Sequence, residues 1–241
     1  MNGPRIIFKI PLFGGIPVTE TVVNCWIVMA VIIGVSIWLG SNLKIKPTTK
    51  RQLVAEKLVS MLYNLVEGVM GKKFIWFAPY IGALFSMSIF GSLSSLFGLR
   101  PYTADLSTTL SWAVLTSVMV WVFSIRESGF FGWLKGFAEP VPFILPINII
   151  GEIANPISMS FRHFGNIAAG MVITNLVYGG LANLSKFVLG FIPNTFLNSI
   201  PIFQLGIPAL LSIYFDLFGS FLQAYIICML TMVNISNTSA D

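Results

Sequence analysis

SMSFRHFGN, residues 158–166, places Arg162 inside an otherwise uncharged stretch that runs from Ile153 to Ser185. A guanidinium stays protonated in a protein, so this position carries a permanent positive charge. Inserting such a residue at the centre of a membrane helix costs roughly 2.5–3.5 kcal/mol, and ionisable groups there usually line a wet cavity and mark an ion path. An arginine that snorkels from a helix end is the plainer alternative, but the uncharged sequence on both sides favours an ion path.

Composition places almost the whole chain in a membrane. Of its 241 residues, 56% are hydrophobic and only 10% are charged, whereas about 25% of a soluble domain is charged. The chain is therefore an integral membrane protein, with no room for a soluble catalytic domain. The net charge of +5 is concentrated in short loops, which indicates membrane topology and no nucleic-acid partner.

The first half of the chain contains three apolar segments of ordinary length for a membrane span, about 20 residues. They are residues 21–43, 74–99 and 106–125. Between the first two, residues 51–70 repeat apolar side chains at helical spacing opposite polar ones. That pattern is typical of a helix lying along the membrane surface, and an ordinary bundle helix remains an equal alternative.

The distribution of basic residues predicts the orientation of the spans. Seven lysines and arginines fall between the first two spans, which predicts that this side is cytoplasmic. The N-terminus is then outside and the C-terminus cytoplasmic. Nine basic residues lie inside and four outside, with Arg162 in the membrane.

The second half of the chain contains two segments that are too long for upright spans. Residues 153–185 form a 33-residue stretch, and residues 207–235 are interrupted only by Asp216. A helix of the first length measures about 50 Å, against a hydrocarbon core of about 30 Å. We therefore predict a strongly tilted helical hairpin lying against a partner. Pro140, Pro142 and Pro146 predict a cytoplasmic loop before it.

Together these segments predict an all-α integral membrane protein with a single membrane domain, residues 1–241. About five membrane-embedded helices and one amphipathic interfacial helix make up this domain.

Each long segment carries a polar stripe. On the first, Ser158, Arg162 and Asn166 share one helical face; on the second, the stripe comprises Ser212, Asp216, Ser220 and Gln223. Such stripes often serve only to join helices by hydrogen bonds, which accounts well for the serines. Joining of helices accounts poorly for the two charged residues, Arg162 and Asp216. A carboxyl such as Asp216 can pass protons, whereas Arg162 cannot and therefore acts as an electrostatic gate.

Two more carboxylates lie at the predicted membrane faces, Glu152 on the cytoplasmic side and Asp105 on the outer side. Each is a candidate for ion transfer, and a solvated helix-end charge is the alternative for both. His163 points about 100° away from Arg162 on a helix, so we predict a structural or lipid-facing role for it. One histidine and two separated cysteines predict no metal site, and no motif predicts a cofactor.

Three stretches carry a family resemblance: SMSFRHFGNIAAG at 158–170, LQAYIICMLTMV at 222–233 and PYTADLSTTLSWAV at 101–114. In them the chain resembles subunit a of the F-type ATP synthase membrane sector, of the bacterial type. The resemblance extends from the first span to the C-terminus. It implies a tilted hairpin against a rotating ring of c subunits, with subunit b of the peripheral stalk and the other synthase subunits as further partners in the lipid bilayer.

The resemblance also implies residue roles. Arg162 matches the family's essential arginine, Asn166 its nearby asparagine and Gln223 the glutamine that faces the arginine. Asp216 falls where members carry a titratable or polar residue in the outer half-channel. Asp105 matches an acidic outer-side residue, and Glu152 resembles the acid before the cytoplasmic Pro–Ser motif.

The chain departs from the family pattern at three positions. Met171 stands where several members have Glu, Ser107 replaces the usual Asn, and His163 stands where Leu is common. The first departure predicts that Asp216 carries proton chemistry that other members share between two positions.

The resulting hypothesis is a non-catalytic stator ion channel, with two offset half-channels, that couples proton or sodium flow to rotation in a bacterial plasma membrane. A secondary transporter that binds an anionic substrate at Arg162 is the alternative, but it predicts internal symmetry and discontinuous helices, which the sequence does not show. A purely structural scaffold leaves Arg162 and Asp216 unexplained.

Overall fold

The computed structural model describes residues 4–11, 15–45, 49–138, 141–189 and 213–238. Helices dominate these ranges, and the protein is an all-α membrane protein. Five helical segments are long and apolar enough to cross a membrane: Glu20–Gly40, Lys72–Phe97, Leu106–Gly136, Pro142–Val188 and Ile213–Asn237.

A short β-hairpin precedes the first helix, and the sequence analysis did not anticipate it. Strands β1 (Ile6–Ile10) and β2 (Ile16–Thr19) pair antiparallel. Their alternating β-branched and aromatic residues favour extended backbone. Helix α1 (Glu20–Gly40) follows directly and covers most of the predicted segment 21–43. The hairpin therefore ends at the predicted outer end of the first apolar segment.

Helix α2 (Lys50–Met70) begins where Thr49 accepts a hydrogen bond from the backbone N–H of Gln52, as an N-cap residue does. Its C-terminal half enters the core, where Val66 and Met70 are buried. Much of the remaining surface is uncovered, with Leu53 58%, Leu58 55% and Met61 60% exposed, although Gln52 in the first turn is buried. The helix therefore contacts the bundle near both ends, and its placement along the membrane surface stays a prediction.

The segment predicted at 74–99 is a helix with a tighter turn at each end. A 3₁₀ turn at Lys72–Phe77 leads into α3 (Ala78–Leu93), and another follows at Ser94–Phe97. Gly98 ends the segment in the left-handed conformation, φ 71°, which glycine adopts without steric cost. This turn directs the chain into the short 3₁₀ segment Tyr102–Ala104.

Helix α4 (Leu106–Gly136) continues past Ile125, where the sequence analysis placed the end of the third span. The backbone leaves helical geometry at Gly129, with φ 73° and ψ 163°, so two helical pieces meet there. Arg126 therefore lies on a helix rather than in a loop. The charge at Arg126 marked the end of the apolar run but not the end of the helix.

Helix α5 (Leu145–Leu189) begins eight residues earlier than predicted and spans 45 residues. The loop expected before Glu152 is thus largely helical. Pro146 lies in the first turn, where its missing N–H is not needed. Pro156 lies further inside the helix, at the cost of one backbone hydrogen bond.

The last segment starts as a π-helical turn at Ile213–Phe218 and continues as α6 (Gly219–Asn237). The rest of the predicted segment 207–235, including Ser212, lies outside the described residues. Helix α5 packs mainly against α4, and α6 mainly against α3. The main apolar core lies where α2, α3, α4 and α6 meet; its fully buried members include Ala78, Ile81, Ala113, Met232 and Ile235.

Candidate functional site

Two glycine contacts define how α5 meets the last helical segment. A β-carbon added to Gly170 would lie 3.1 Å from Cβ of Phe215, and one added to Gly219 would lie 2.8 Å from Nδ2 of Asn166. These pairs are four residues apart on both segments and run in opposite directions. The two segments are therefore antiparallel, with close backbone approach at both glycines.

This register has a consequence for Arg162. One further turn beyond the Asn166–Gly219 pair brings Arg162 and Gln223 to the same level. Arg162 is exposed on the surface of the chain, whereas Gln223 is buried. Among the residues that the structure describes, no carboxylate forms an ion pair with Arg162. A permanent charge thus lies on an outward face that it shares with Ser158 and with large apolar side chains such as Phe161.

Asp216 lies in a cavity of about 410 Å³. Its wall includes three positions of α5, Met171, Thr174 and Asn175, and several of the chain after α3, among them Arg100. The register sets Asp216 near the level of Ala169, roughly 10 Å along the α5 axis from Arg162. Asp216 therefore lies two helical turns from the exposed Arg162, towards the end of α5 predicted to be outside.

The backbone at Asp216 is unusual, since the residue lies in the π-helical turn that precedes α6. Single π-helical turns are rare and occur frequently at functional sites. The wider turn changes the direction of the side chains relative to a continuous α-helix. The α-helical spacing of the polar stripe therefore could not by itself predict the direction of the Asp216 carboxyl.

Asp105 lies in a compact outer segment. Its Oδ1 is 3.8 Å from Nη2 of Arg100, and both side chains are mostly buried. Tyr102 fills the space beside Gly91 and donates a hydrogen bond to the carbonyl of Met87 at 2.6 Å. Burial raises the pKa of the Tyr102 hydroxyl above its ordinary value, with nearby Cys25 adding to the effect. The segment is therefore packed and not a loose loop.

Glu152 lies on the opposite side of Arg162 along α5. It accepts a hydrogen bond from Nε1 of Trp121 at 2.5 Å, which ties it to α4. Ten residues separate Glu152 from Arg162, about 15 Å along a helix. Carboxylates therefore occur on both sides of the cation along the α5 axis.

His163 is 1% exposed, so the lipid-facing alternative is wrong. Its ring contacts Trp112 edge to face at 5.9 Å, and its Nε2 lies 3.5 Å from Oγ of Ser88. The same internal side of α5 carries Ser160, whose hydroxyl lies 3.1 Å from that of Thr109. These contacts anchor α5 to α3 and α4, and leave Arg162 on the other side.

The serines of the polar stripes differ in position. Ser158 is exposed, while Ser220 is buried at 2% exposure. The interhelical hydroxyl contacts instead join Thr109 to Ser160 and Thr116 to Thr231 at 3.3 Å. Hydroxyl groups thus join helices, but they belong to residues outside the two polar stripes.

The structure brings Asn166 and Gly219 together and places Asp216 with residues that the sequence analysis did not single out. Those residues are Arg100, Thr174 and Asn175. Thr174 and Asn175 carried a signal, because they are polar within an apolar helix. For Arg100, the signal in the sequence was only its short distance from Asp105 along the chain. Asp105 and Glu152 lie away from the Asp216 cavity wall. Within the described ranges there is no cluster of His, Cys, Asp or Glu that could hold a metal ion.

Comparison with known proteins identifies the family. The family model described as "ATP synthase A chain" matches residues 22–236. A similar protein from Propionigenium modestum, named "ATP synthase subunit a, sodium ion specific", is 34% identical over 100% of this chain and 86% of its own length. "ATP synthase subunit a" of Moorella thermoacetica is 34% identical over 93% of this chain and 92% of its own. "ATP synthase subunit a 1" of Chlorobium luteolum is 31% identical over 98% of this chain and 96% of its own. The chain therefore belongs to the ATP synthase A chain family, the ion-translocating and non-catalytic stator subunit of the ATP synthase.

Proposed function

We propose that Arg162 is the fixed charge that separates two ion paths, one from each side of the membrane. The observation that carries this proposal is the position of Arg162, exposed on the outer face of α5 and without a carboxylate partner among the described residues. In a setting of low dielectric constant, a fixed charge repels cations and attracts carboxylates with little screening. Arg162 therefore blocks direct passage and draws the ion off each carboxylate that a partner presents.

The outer path ends at Asp216. Its cavity has room for water and contains polar side chains from α5, including Thr174 and Asn175. Asp105 lies at the outer end of this path, and Glu152 lies on the cytoplasmic path. Asn166 and Gln223 flank Arg162 and hold its surroundings polar, while Ser158 and Ser220 line the adjacent turns.

The partner at Arg162 is a ring of c subunits that carries the exchanging carboxylates. Support comes from the exposed apolar residues near the cation on α5, among which Phe161 is 54% and Ile157 is 44% exposed. Such a face requires a membrane-embedded partner or lipid, and only a partner with carboxylates compensates the charge. Subunit b of the peripheral stalk and the remaining synthase subunits complete the assembly.

The chain lies in a bacterial plasma membrane with its N-terminus outside and its C-terminus in the cytoplasm. This orientation places nine basic residues on the cytoplasmic side, as the positive-inside rule requires. The long segments, residues 153–185 and 207–235, lie strongly tilted against the ring, and the whole chain acts as one membrane domain. The carried ion is a proton or sodium, and the name of the Propionigenium modestum relative makes sodium the first ion to test.

The experiment that tests this function replaces Arg162 in the complete synthase. Arg162→Ala abolishes ATP synthesis driven by an imposed ion gradient, because the paths are no longer separated and the ring carboxylates keep their ions. Arg162→Lys is severely impaired, since a lysine loses its proton when desolvated and lacks the planar fork. Synthesis is measured in vesicles, with sodium and without it.

Recovery of the complete complex controls for assembly. Lys73→Gln is a matched variant, because Lys73 is a basic residue whose partner Glu127 lies on the exposed surface away from the site. We expect Lys73→Gln to retain ATP synthesis. Normal synthesis in an assembled Arg162→Ala complex contradicts the proposed mechanism.

A further inference from the structure

Arg100 is the feature of the outer cavity that the proposed function does not use. Arg100 lines the same cavity of about 410 Å³ as Asp216, although a path for cations gains nothing from a positively charged residue in its wall. Such a charge lowers the local concentration of any cation that approaches Asp216. The chain must therefore compensate this charge or use it.

The compensation is built into the fold. Asp105 Oδ1 lies 3.8 Å from Arg100 Nη2, with the two side chains 18% and 28% exposed. A smaller cavity of about 170 Å³ is lined by Asp105 and by hydroxyl groups of Thr21, Ser107 and Thr108. The ion pair thus joins two cavities, with its cation on the wall of the larger one and its anion on the wall of the smaller one.

The pair is held in place by its neighbours. The backbone carbonyl of Arg100 accepts a hydrogen bond from Nδ2 of Asn24 at 2.9 Å, and Asn24 also donates to Oγ of Ser94 at 2.8 Å. The hydroxyls of Ser92 and Thr103 lie 3.1 Å apart. Helix α1, the end of α3 and the Tyr102–Ala104 turn therefore fix the two charges relative to Asp216.

We propose that the Arg100–Asp105 ion pair is a positioning element that sets the electrostatic potential of the outer ion path. Asp105 neutralises Arg100, so that a cation can enter the cavity and reach Asp216. Arg100 in turn prevents Asp105 from holding the cation at the entrance. Asp105 therefore acts through Arg100 rather than as a stepping stone for the ion. This inference rests on the proposed role of Asp216.

The test uses Asp105→Asn and the double variant Arg100→Gln/Asp105→Asn in the complete synthase, in vesicles with an imposed gradient of the transported ion. Asp105→Asn removes the negative charge beside Arg100, makes the potential at the cavity more positive and slows ATP synthesis on the order of tenfold, the lower end of the effect of charge on ion capture in a cleft. The double variant removes both charges and recovers most of the wild-type rate.

A second readout separates electrostatics from structure. Choline chloride raises the ionic strength without supplying a transported ion, and at 0.1 M it screens charges beyond about 10 Å. The defect of Asp105→Asn shrinks under these conditions, because the pair lies partly in contact with water. Glu127→Gln is the matched control: it breaks the Lys73–Glu127 pair, whose atoms are 2.6 Å apart on the exposed surface, and leaves the rate unchanged at both salt concentrations.

Two outcomes overturn the proposal. If the double variant is as slow as Asp105→Asn, and neither responds to salt, the pair only holds the outer segment together. If Asp105→Asn synthesises ATP at the wild-type rate, the potential at Arg100 does not limit entry. Asp216→Leu, measured in parallel, distinguishes these failures from a failure of the proposed function. If Asp216→Leu is inactive in the last case, only the inference about the ion pair is wrong.

Discussion

At the scale of single residues, the wall of the outer cavity combines one carboxylate with one methionine. Asp216 comes from the π-helical turn and Met171 from α5, and both line the same space. The family resemblance of the sequence implies a Glu at the position of Met171 in several members, which predicts that Asp216 carries the proton chemistry alone here. Among the described residues that line this cavity, Asp216 is the one carboxylate.

We expect Asp216→Leu to reduce ATP synthesis sharply while leaving the complex assembled, because leucine neither binds nor releases a cation. Asp216→His retains part of the activity if protons are carried, since imidazole binds and releases protons near neutrality. Synthesis under an imposed gradient and recovery of the complex are measured together. Wild-type coupling in Asp216→Leu would show that the carboxyl only packs the helices.

Met171→Glu provides the matched variant for this prediction. Added to Asp216→Leu, it returns a carboxylate to the same cavity from the opposite wall, and we expect partial recovery of synthesis. A glutamate introduced at Ile173, which is 40% exposed and does not line the cavity, gives no recovery. Equal recovery at both positions would mean that location in the cavity is not what matters.

At the scale of elements, the hairpin register is decided by small residues. Gly170 and Gly219 let α5 approach the last segment so closely that an added β-carbon would meet Phe215 or Asn166. Close approach at small residues is common between membrane helices. The level of Arg162 relative to Gln223 follows from these contacts, since both residues lie four positions from the Asn166–Gly219 contact and eight from the Gly170–Phe215 contact.

The register is tested by cross-linking. In a chain without Cys25 and Cys228, we expect Gly170→Cys and Phe215→Cys to form a disulfide on mild oxidation. Their β-carbon positions are 3.1 Å apart, which is close to the separation of about 3.5–4.5 Å between the β-carbons of a disulfide. Electrophoretic mobility under non-reducing conditions measures the product.

Gly170→Cys with Phe218→Cys is the control pair, since position 218 lies almost one turn away. It remains uncross-linked if the register is correct. Preferential cross-linking of the control pair would mean that the last segment is shifted along α5, and Arg162 would then not lie level with Gln223.

At the scale of the whole molecule, the exposed apolar surface and the charged ends of the helices define how the chain sits in the membrane. The uncovered half of α1 is apolar, with Ile37 67% and Trp38 60% exposed. Exposed apolar area of this size requires lipid or membrane-embedded partners. The two faces of the membrane are then distinguished by the basic residues of the connecting segments.

The orientation is tested by thiol labelling. We expect Ile45→Cys, in the exposed connection between α1 and α2, to react with a membrane-impermeant maleimide only in inside-out vesicles. Lys186→Cys, near the other end of α5, reacts only from the outside of intact cells, because α5 crosses the membrane once. Both variants lack Cys25 and Cys228. Labelling of both positions from one side would contradict the predicted topology.

The apolar runs were the part of the fold that the sequence predicted best, and the ends of helices were the part it predicted least well. Hydropathy locates segments such as 21–43, since burial in lipid is favourable for each apolar side chain separately. It missed that α4 continues through Arg126 and that α5 begins at Leu145. A helix ends where its backbone hydrogen bonds end. A charged side chain such as Arg126 leaves those bonds intact, and a proline in the first turn lacks only an N–H that has no partner within the helix.

The sequence by itself determined that this chain is a membrane protein with Arg162 in an otherwise uncharged segment, because hydrophobicity and charge are properties of single residues. Its motifs also indicated the ATP synthase A chain family, because the spacing of residues in a motif is read directly from the chain. Tertiary structure alone decided that His163 points inward, that Asp216 shares a cavity with Arg100 and Met171, and that Asp105 pairs with Arg100. These placements depend on complementary packing between residues far apart in the chain, and on glycines whose effect is felt only when another helix lies against them.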